Sequence, residues 1–396
     1  MDDLILVVNA GSSSIKFTVY SAGTQSAGVK GLSEACAGQA EGLLSAPLFV
    51  VRREGETERH SIPDTGHQAA VEFIAAWLRR SFTGARLRAV GHRVVHGGDP
   101  APGPTLVSDE LLARLDVLVP QMPLHLPHNL APMRGLARLQ PGMPQVACFD
   151  TWFHRTLPRV EQLFAIPRAL IDEGVRRYGF HGLSYEFVAR RLREVAPGVA
   201  DKRVILAHLG SGASMCAIEG GRSIATTMGF TGLDGLPMGT RPGHLDPGIL
   251  LYLMEAKGMG TREIEDLLYR RSGLLGLSGV SNDVRELLAS DSPAAAEALD
   301  FFVHRTGREL GSLAAALGGL DALVFTGGIG ERSAVMRAAI CRKAAWLGID
   351  LDGPANDGNR SLISRPGEGV AVFVIPTDEN RVIADHTLAL ITREAS

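Results

Sequence analysis

The sequence predicts an α/β fold built twice over, each half a mixed sheet with helices packed on it, and three observations predict it. A short apolar run, a small-residue turn and a second apolar run occur at residues 6–20 and again at 205–218. After each of these hairpins, strand-like and helix-like periodicities alternate, which is the order of an α/β domain with a mixed sheet. The chain has 396 residues, too many for one typical core and enough for two domains. The first hairpin, LVVNAGSSSIKFTVY, sets Gly11 and three serines between its apolar runs, and the second, ILAHLGSGASMCAI, sets Gly210 and Gly212 there. Small residues at such a turn let backbone N–H groups and hydroxyls approach a phosphate closely. They also mark ordinary hairpins. Two such turns, one in each half, predict a duplicated domain gripping one polyphosphate from both sides.

Taken in order, residues 4–20 form the first hairpin and a third strand follows at 48–53. Ala69, Ala70, Phe73, Ile74, Trp77 and Leu78 recur at helical spacing, so 68–82 is a helix with one apolar face. The strand LRAVGHRVVHGG runs into a Gly/Pro loop at 97–104. Ser108 caps a helix that opens with Asp109 and Glu110, where carboxylates suit the helix dipole. The buried strand QVACF ends at Asp150, a residue that can serve as a turn-forming cap or as a functional carboxylate.

From Thr151 the pattern restarts. A helix from Ser184 carries Phe187, Val188, Arg191, Leu192 and Val195, the second hairpin begins near 203, and an alanine-rich helix spans about 294–317. ALVFTGGIGERS reads as strand, glycine turn and a helix capped by Ser333, which aims N–H groups at a ligand. Residues 353–369 form a polar surface loop, and the strand VAVFVIP and a helix at 379–393 close the chain.

A formal charge of −3 gives no basic stripe, so neither nucleic acid nor an anionic membrane is expected as a partner, whereas a small anion is compatible. The opening MDDLILVV carries acids where a secretory signal needs a basic region, and no apolar window is long enough to span a bilayer. Cys36, Cys148, Cys216 and Cys341 lie far apart with no CxxC spacing. A reducing cytoplasm is the expected compartment.

Eight segments in order carry a resemblance: NAGSSSIKF, HRVVHGG, FDTWFH, YGFHGLSYEFV, HLGSGAS, MGFTGLDGLPMGTRPGHLDPG, FTGGIGER and PTDENRVIA. Their order and spacing resemble the acetokinase family from Leu4 to the C-terminal helix. The resemblance implies two duplicated actin-like, ribonuclease H-like domains with mixed sheets and a nucleotide cleft between them. Residues 1–150 with 378–396 would form the first domain and 151–377 the second. It implies reversible, direct in-line transfer of the γ-phosphoryl group of ATP to acetate, giving acetyl phosphate and ADP, with Mg2+ or Mn2+, in a homodimer.

Phosphoryl transfer needs positioning, neutralisation of the transferring group and an aligned nucleophile. Acetate is already ionised at neutral pH, so the protein's task is to hold one anion against another. The resemblance supplies Arg93 and Arg241, whose planar forks suit carboxylate and phosphoryl oxygens. It implies that His181 donates to the transferring group and that Asp150 organises the site beside Arg241 and the metal. It also implies that Asn9 and Glu379 are the metal's protein partners. Ser12, Ser14 and Lys16 would contact phosphate. His208, Leu209, Gly210, Ser211, Gly212, Asp283, Val284, Arg285, Gly328, Ile329, Gly330, Glu331 and Arg332 would build the nucleotide side. Val95, Leu124, Phe180 and Gly232 would line a notch for the acyl methyl. The strict P-loop pattern is absent, so the phosphate cradle is of another kind.

Departures from the family pattern are Ser211 and Arg332 where asparagine is usual, His244 where an acid is usual, Gly232 where proline is usual, and Asp378, Glu379 and Asn380 where NEE is usual. They bear on acyl and nucleotide preference. A propionate or other short-chain carboxylate kinase is the alternative within the class, with pyrophosphate as donor a more distant one. A nucleotide-driven chaperone or filament protein is the alternative outside it, disfavoured by the paired arginines.

Overall fold

The two-residue period of a strand sorts the side chains of the first hairpin onto two faces of the sheet, and along its first strand both faces are buried. In β1 (Asp3–Ala10), Leu4, Leu6 and Val8 point into one core with Ile15, Phe17 and Val19 of β2 (Ser14–Thr24). The two strands pair antiparallel, and that register sets Asn9 opposite Lys16. In the computed structural model, which describes residues 3–24, 30–99, 102–367 and 369–394, the chain divides into two compact units. One is Met1–Trp152 with Asp378–Ser396, and the other is Phe153–Thr377.

In the first unit the sheet extends from β2 through β3 (Lys30–Glu41), β4 (Leu48–Arg53) and β5 (Glu56–Ser61). On its other side β1 pairs parallel with β6 (Arg86–Val94), which pairs parallel with β8 (Gln145–Phe149), and β7 (Thr105–Leu106) closes that edge. The strand order is β5-β4-β3-β2-β1-β6-β8-β7. Helix α1 (His67–Ser81) buries Ala70, Val71, Ile74, Trp77 and Leu78 in the shared core. Helix α2 (Asp109–Val117) starts at Ser108, whose side chain accepts from Leu111 N at 3.2 Å. Helix α3 (Leu126–Leu139) adds Leu136 to the core. The helix Glu379–Glu394 lies over Gly91 of β6, where an added Cβ would meet Ile383 Cγ2 at 2.6 Å. Glycine lets that helix seat on the strand.

The second unit's sheet has the order β11-β10-β9-β12-β13. Its strands are β9 (Val204–Leu209), β10 (Ala213–Glu219), β11 (Arg222–Thr226), β12 (Ala322–Thr326) and β13 (Ala371–Val374). The first three are antiparallel and the last two run parallel to β9. The central strands of the first sheet, β3-β2-β1-β6-β8, repeat this arrangement strand for strand. The duplication is therefore structural, and it is the arrangement of two actin-like, ribonuclease H-like domains.

Several elements differ from the sequence reading. The strand at 48–53 is the fourth, because β3 carries Gly, Ser and Ala with little apolar signal. β5 and β11 are likewise short and polar. Helix α3 contains Pro127 in its first turn and Pro132 within it, which obscured its periodicity. GGIGER is itself helical as Gly327–Arg332, and Ser333 caps the next helix, Ala334–Lys343, through Met336 N at 3.4 Å. The 353–369 stretch opens with the short helix Gly353–Asp357, and Asn356 and Ile363 are buried; Glu368 lies outside the described residues. In the 97–104 loop, Pro100 and Ala101 lie outside them too.

Candidate functional site

In the first unit the chemistry collects at the carboxyl ends of parallel strands, the customary ligand end of such sheets. Arg93 is near the end of β6 and Asp150 follows β8, its N–H donating to Val94 O at 3.0 Å. The Arg93 fork holds Asp150, Nη2 donating to Oδ2 at 2.7 Å and Nε to both carboxylate oxygens at 3.2 Å. Glu379 lies 3.7 Å from Nε. Burial opposes the guanidinium charge, but the two carboxylates outweigh it and raise the Arg93 pKa. Nη1 makes no hydrogen bond among the described residues and remains available to an anion.

Asn9 stands half-buried on β1, Ser14 is half-buried, and Ser12 and Lys16 are exposed. The turn is closed by Gly11 N donating to Ser14 O at 2.8 Å. A residue absent from the sequence reading, Asn129 of α3, ties this turn to the loop after β6. Its Nδ2 donates to Ala10 O at 2.8 Å and its Oδ1 accepts from Val95 N at 3.0 Å. Nothing in LPHNLAPMRG signals that role, because both partners are backbone atoms. Val95 and Leu124 are half-buried in this unit.

In the second unit, His181 precedes the helix Gly182–Val195 with φ 59°, a left-handed conformation uncommon outside glycine. Its ring stacks on His208 of β9 with centroids 4.4 Å apart. Each imidazole meets a buried serine through Nδ1 at 2.8 Å, His181 at Ser214 Oγ and His208 at Ser184 Oγ. Ser214 Oγ also contacts the buried Tyr185 hydroxyl. A Cβ added at Gly212 would lie 2.9 Å from Arg241 Nη2 and 3.3 Å from His181 Nε2. A guanidinium N–H and an imidazole nitrogen therefore converge over a backbone position left bare by glycine, an arrangement that suits an anionic oxygen.

Arg241 Nη1 donates to Gly232 O at 2.8 Å, and a Cβ at Gly232 would sit 2.8 Å from the same nitrogen. The space left by glycine at 232 thus adjoins the guanidinium. Phe180 is buried, and its carbonyl accepts from His154 Nε2 at 2.9 Å.

The glycine turn at 210–212 is closed by Gly210 N donating to Gly212 O at 3.0 Å, with Ser211 exposed at its tip. Leu209 and Val284 are core residues, so their side chains face away from solvent. Asp283 caps the following short helix through Arg285 N at 2.8 Å and also binds the Arg285 side chain, which holds the Asp283 carboxyl below its ordinary range. Gly328 and Arg332 are exposed, Ile329 is half-buried and Gly330 is buried. Glu331 Oε1 accepts from Gly327 N at 2.9 Å and Thr377 N at 3.1 Å, so its carboxylate closes the turn itself. Behind it the fully buried Arg337 donates to Gly330 O at 2.9 Å, Glu331 O at 3.0 Å and Asn356 O at 2.8 Å. The sequence reading passed over Arg337, Ser184, Ser214 and Tyr185. Ser214 and Tyr185 sit inside quoted motifs, which was the available signal.

Among the described residues no three His, Cys, Asp or Glu side chains come together as a metal cage. Mg2+ is usually held by few protein oxygens, with phosphates and water completing its shell. Asn9 and Glu379 supply hard oxygen donors of that kind, Glu379 at the first turn of a helix packed on Gly91 of β6.

The Acetokinase family model matches residues 4–385. The acetate kinase of Rhodopseudomonas palustris is 54% identical over 396 residues, covering 98% of this chain and 99% of the relative. That of Methylocella silvestris is 51% identical across 100% of both chains. The crystal structure of Porphyromonas gingivalis acetate kinase matches with TM-score 0.87 at 37% identity, covering 98% of this chain and 100% of that one. A Francisella tularensis propionate kinase matches with TM-score 0.91 at 34% identity, covering 98% and 99%. Relatives with this identity and coverage, on the duplicated fold, mean that the chain belongs to the acetokinase family.

Proposed function

We propose that this protein is an acetate kinase that moves the γ-phosphoryl group of ATP to acetate, reversibly and in line, giving acetyl phosphate and ADP. The observation that carries the reading is the convergence of Arg241 Nη2 and His181 Nε2 over Gly212. Donors fixed beforehand where charge develops are the main source of acceleration in such reactions. Arg241 and His181 take the transferring phosphoryl oxygens, and the open edge of Arg93 takes the carboxylate of acetate. Asp150 keeps Arg93 charged and in place. No general base enters, since the acceptor is already an anion.

Residues 1–150 with 378–396 would supply the acyl and metal ligands, and 151–377 the nucleotide turns at 208–212, 283–285 and 328–332. Asn9 and Glu379 would hold Mg2+, or Mn2+ in its place, which when bound neutralises the polyphosphate. Val95, Leu124, Phe180 and Gly232 would shape the acyl site. The family reaction uses a nucleotide and a divalent metal, and the choice of Mg2+ rests on the oxygen donors of Asn9 and Glu379.

A homodimer is supported by the helix Pro247–Glu255, which has no buried residue and exposes Ile249, Leu251, Tyr252 and Met254. Such a face on a single chain marks an association surface, and a second copy fits the symmetry common among enzymes. A cytoplasmic location is supported by the four buried cysteines, none of them in a disulfide; burial pushes the Cys36, Cys216 and Cys341 thiols up to about 12. No described helix is long and apolar enough to cross a membrane.

The test is acyl-phosphate formation, trapped as hydroxamate, from acetate and propionate with ATP, GTP and pyrophosphate, before and after metal removal. Acetate with ATP should give the highest kcat/KM, and chelation should abolish it. Equal turnover without metal, or a clear preference for propionate or pyrophosphate, would overturn the reading.

A further inference from the structure

The hydrogen count along Tyr185, Ser214 and His181 leads to one conclusion about the histidine. Tyr185 and Ser214 are both fully buried. Ser214 is the hydrogen-bond partner of the Tyr185 hydroxyl among the described residues, and Ser214 Oγ in turn lies 2.8 Å from His181 Nδ1. Two contacts need two hydrogens, and each hydroxyl carries one. If Tyr185 donates to Ser214 and Ser214 donates to Nδ1, both contacts are made and no O–H is stranded. If instead Nδ1 carried a hydrogen and donated to Ser214, one of the two buried hydroxyl hydrogens would lack an acceptor. Buried polar groups are very seldom left so. Burial also pushes the Tyr185 pKa well above its ordinary value, so the phenol keeps its hydrogen. The other groups against this chain are the stacked His208 ring, the His154 ring 5.7 Å from Tyr185, Cys216, and Arg241 at the far side of His181.

We propose that Ser214 is a positioning residue that holds His181 as the neutral tautomer protonated on Nε2. The inference rests on the reading of His181 as a donor to the transferring phosphoryl group and adds how that donor is specified. The hydrogen is placed on the nitrogen that converges with Arg241 Nη2 over Gly212, so the histidine donates without a second positive charge beside the arginine. The left-handed backbone at His181 holds the ring between Ser214 and that point. The stacked His208, bound through its own Nδ1 to Ser184, limits rotation from one face.

Long-range proton–nitrogen NMR on protein labelled with 15N-histidine reads the tautomer directly, His181 being assigned by the signal lost in His181→Gln. The wild-type ring should show the Nε2–H pattern. Tyr185→Phe leaves the Ser214 donor intact and should keep that pattern. Ser214→Ala removes the donor and should give mixed tautomers, with kcat lowered on the order of tenfold and nucleotide KM changed less than twofold. An Nδ1–H pattern in the wild type, or an unchanged pattern in Ser214→Ala, overturns the proposal. A shifted tautomer with undiminished kcat leaves the hydrogen-bond chain standing and overturns the catalytic placement of His181.

Discussion

Each guanidinium at the candidate site has a different kind of anchor, and the anchor decides what its loss should do. Arg93 is fixed by a buried carboxylate, so Arg93→Ala removes the proposed partner of the substrate and the cation that Asp150 holds. Arg241 donates through Nη1 to a backbone carbonyl, that of Gly232. Both alanine variants should lower kcat by about 10²-fold or more, as loss of one donor to a developing anion does. Near-normal kcat in either would remove that residue from the site. Gly232 stands where proline is usual in the family pattern, at a position that would line the acyl notch. A Cβ there would lie 2.8 Å from Arg241 Nη1, the far end of a flexible side chain that can give way to the ring. Gly232→Pro should therefore stay active and shift kcat/KM towards acetate over propionate, measured side by side. An unchanged ratio in a folded, active variant would remove Gly232 from the notch. Arg337 carries its charge among neutral acceptors, and burial lowers its pKa. Arg337→Met should cost roughly 3 kcal/mol of stability or more by leaving buried carbonyls unpaired, and should raise the nucleotide KM because two of those carbonyls belong to the 330–331 turn. Denaturant melts with nucleotide titration test both effects together.

Elements matter here mostly through their ends. The parallel strands β6 and β8 deliver Arg93 and Asp150 to one edge, and the short helix Gly327–Arg332 follows β12 at the equivalent place in the second sheet. Ser333 then caps the next helix, and Ser333→Ala should destabilise by about 1 kcal/mol, the usual worth of an N-cap. A difference within error in the unfolding midpoint would show that the cap is idle. The helix Pro247–Glu255 has the opposite character, because its apolar residues lack a core. Leu251 is 58% exposed, so Leu251→Glu should leave the chain folded while splitting the dimer in light scattering. An unchanged mass would assign that face to something other than a second copy.

At the scale of the whole molecule, buried neutral histidines set the response to acid. His92 is buried with Nε2 2.8 Å from Gln145 Oε1, and its Nδ1 has no hydrogen-bond partner among the described residues. His154 is buried between Ser223 and the Phe180 carbonyl. Desolvation lowers each to about 4, from an ordinary value of 6.5. Their folded pKa values are depressed, so the unfolded chain binds more protons as the pH drops. The stabilisation is complete above 6.5 and is lost progressively as pH falls towards 4. The amount is on the order of 3 kcal/mol per histidine. Urea unfolding at pH 7.5 and pH 5 should therefore show a marked loss of stability, smaller in His154→Gln. Equal stability at the two values would mean that these rings are not kept neutral by the fold.

The sequence by itself determined the two glycine turns, the hairpins that carry them, the caps at Ser108 and Ser333 and the ordered motifs, because each is a local pattern of backbone freedom or alternation. It also singled out Arg93, Asp150, His181 and Arg241, through the resemblance that the motifs holding them carry. Only tertiary structure decided that β3 and β5 exist, since a strand of Gly, Ser, Ala and Glu is stabilised by its ladder partners and carries almost no signal of its own. The roles of Asn129, Arg337, Ser214 and Tyr185 arose in the same way. Asn129 and Arg337 act largely on backbone groups, and Ser214 and Tyr185 on each other and on His181, all far from themselves in the chain. Long-range partners of that kind are fixed by how elements pack, and no spacing within a single segment encodes them.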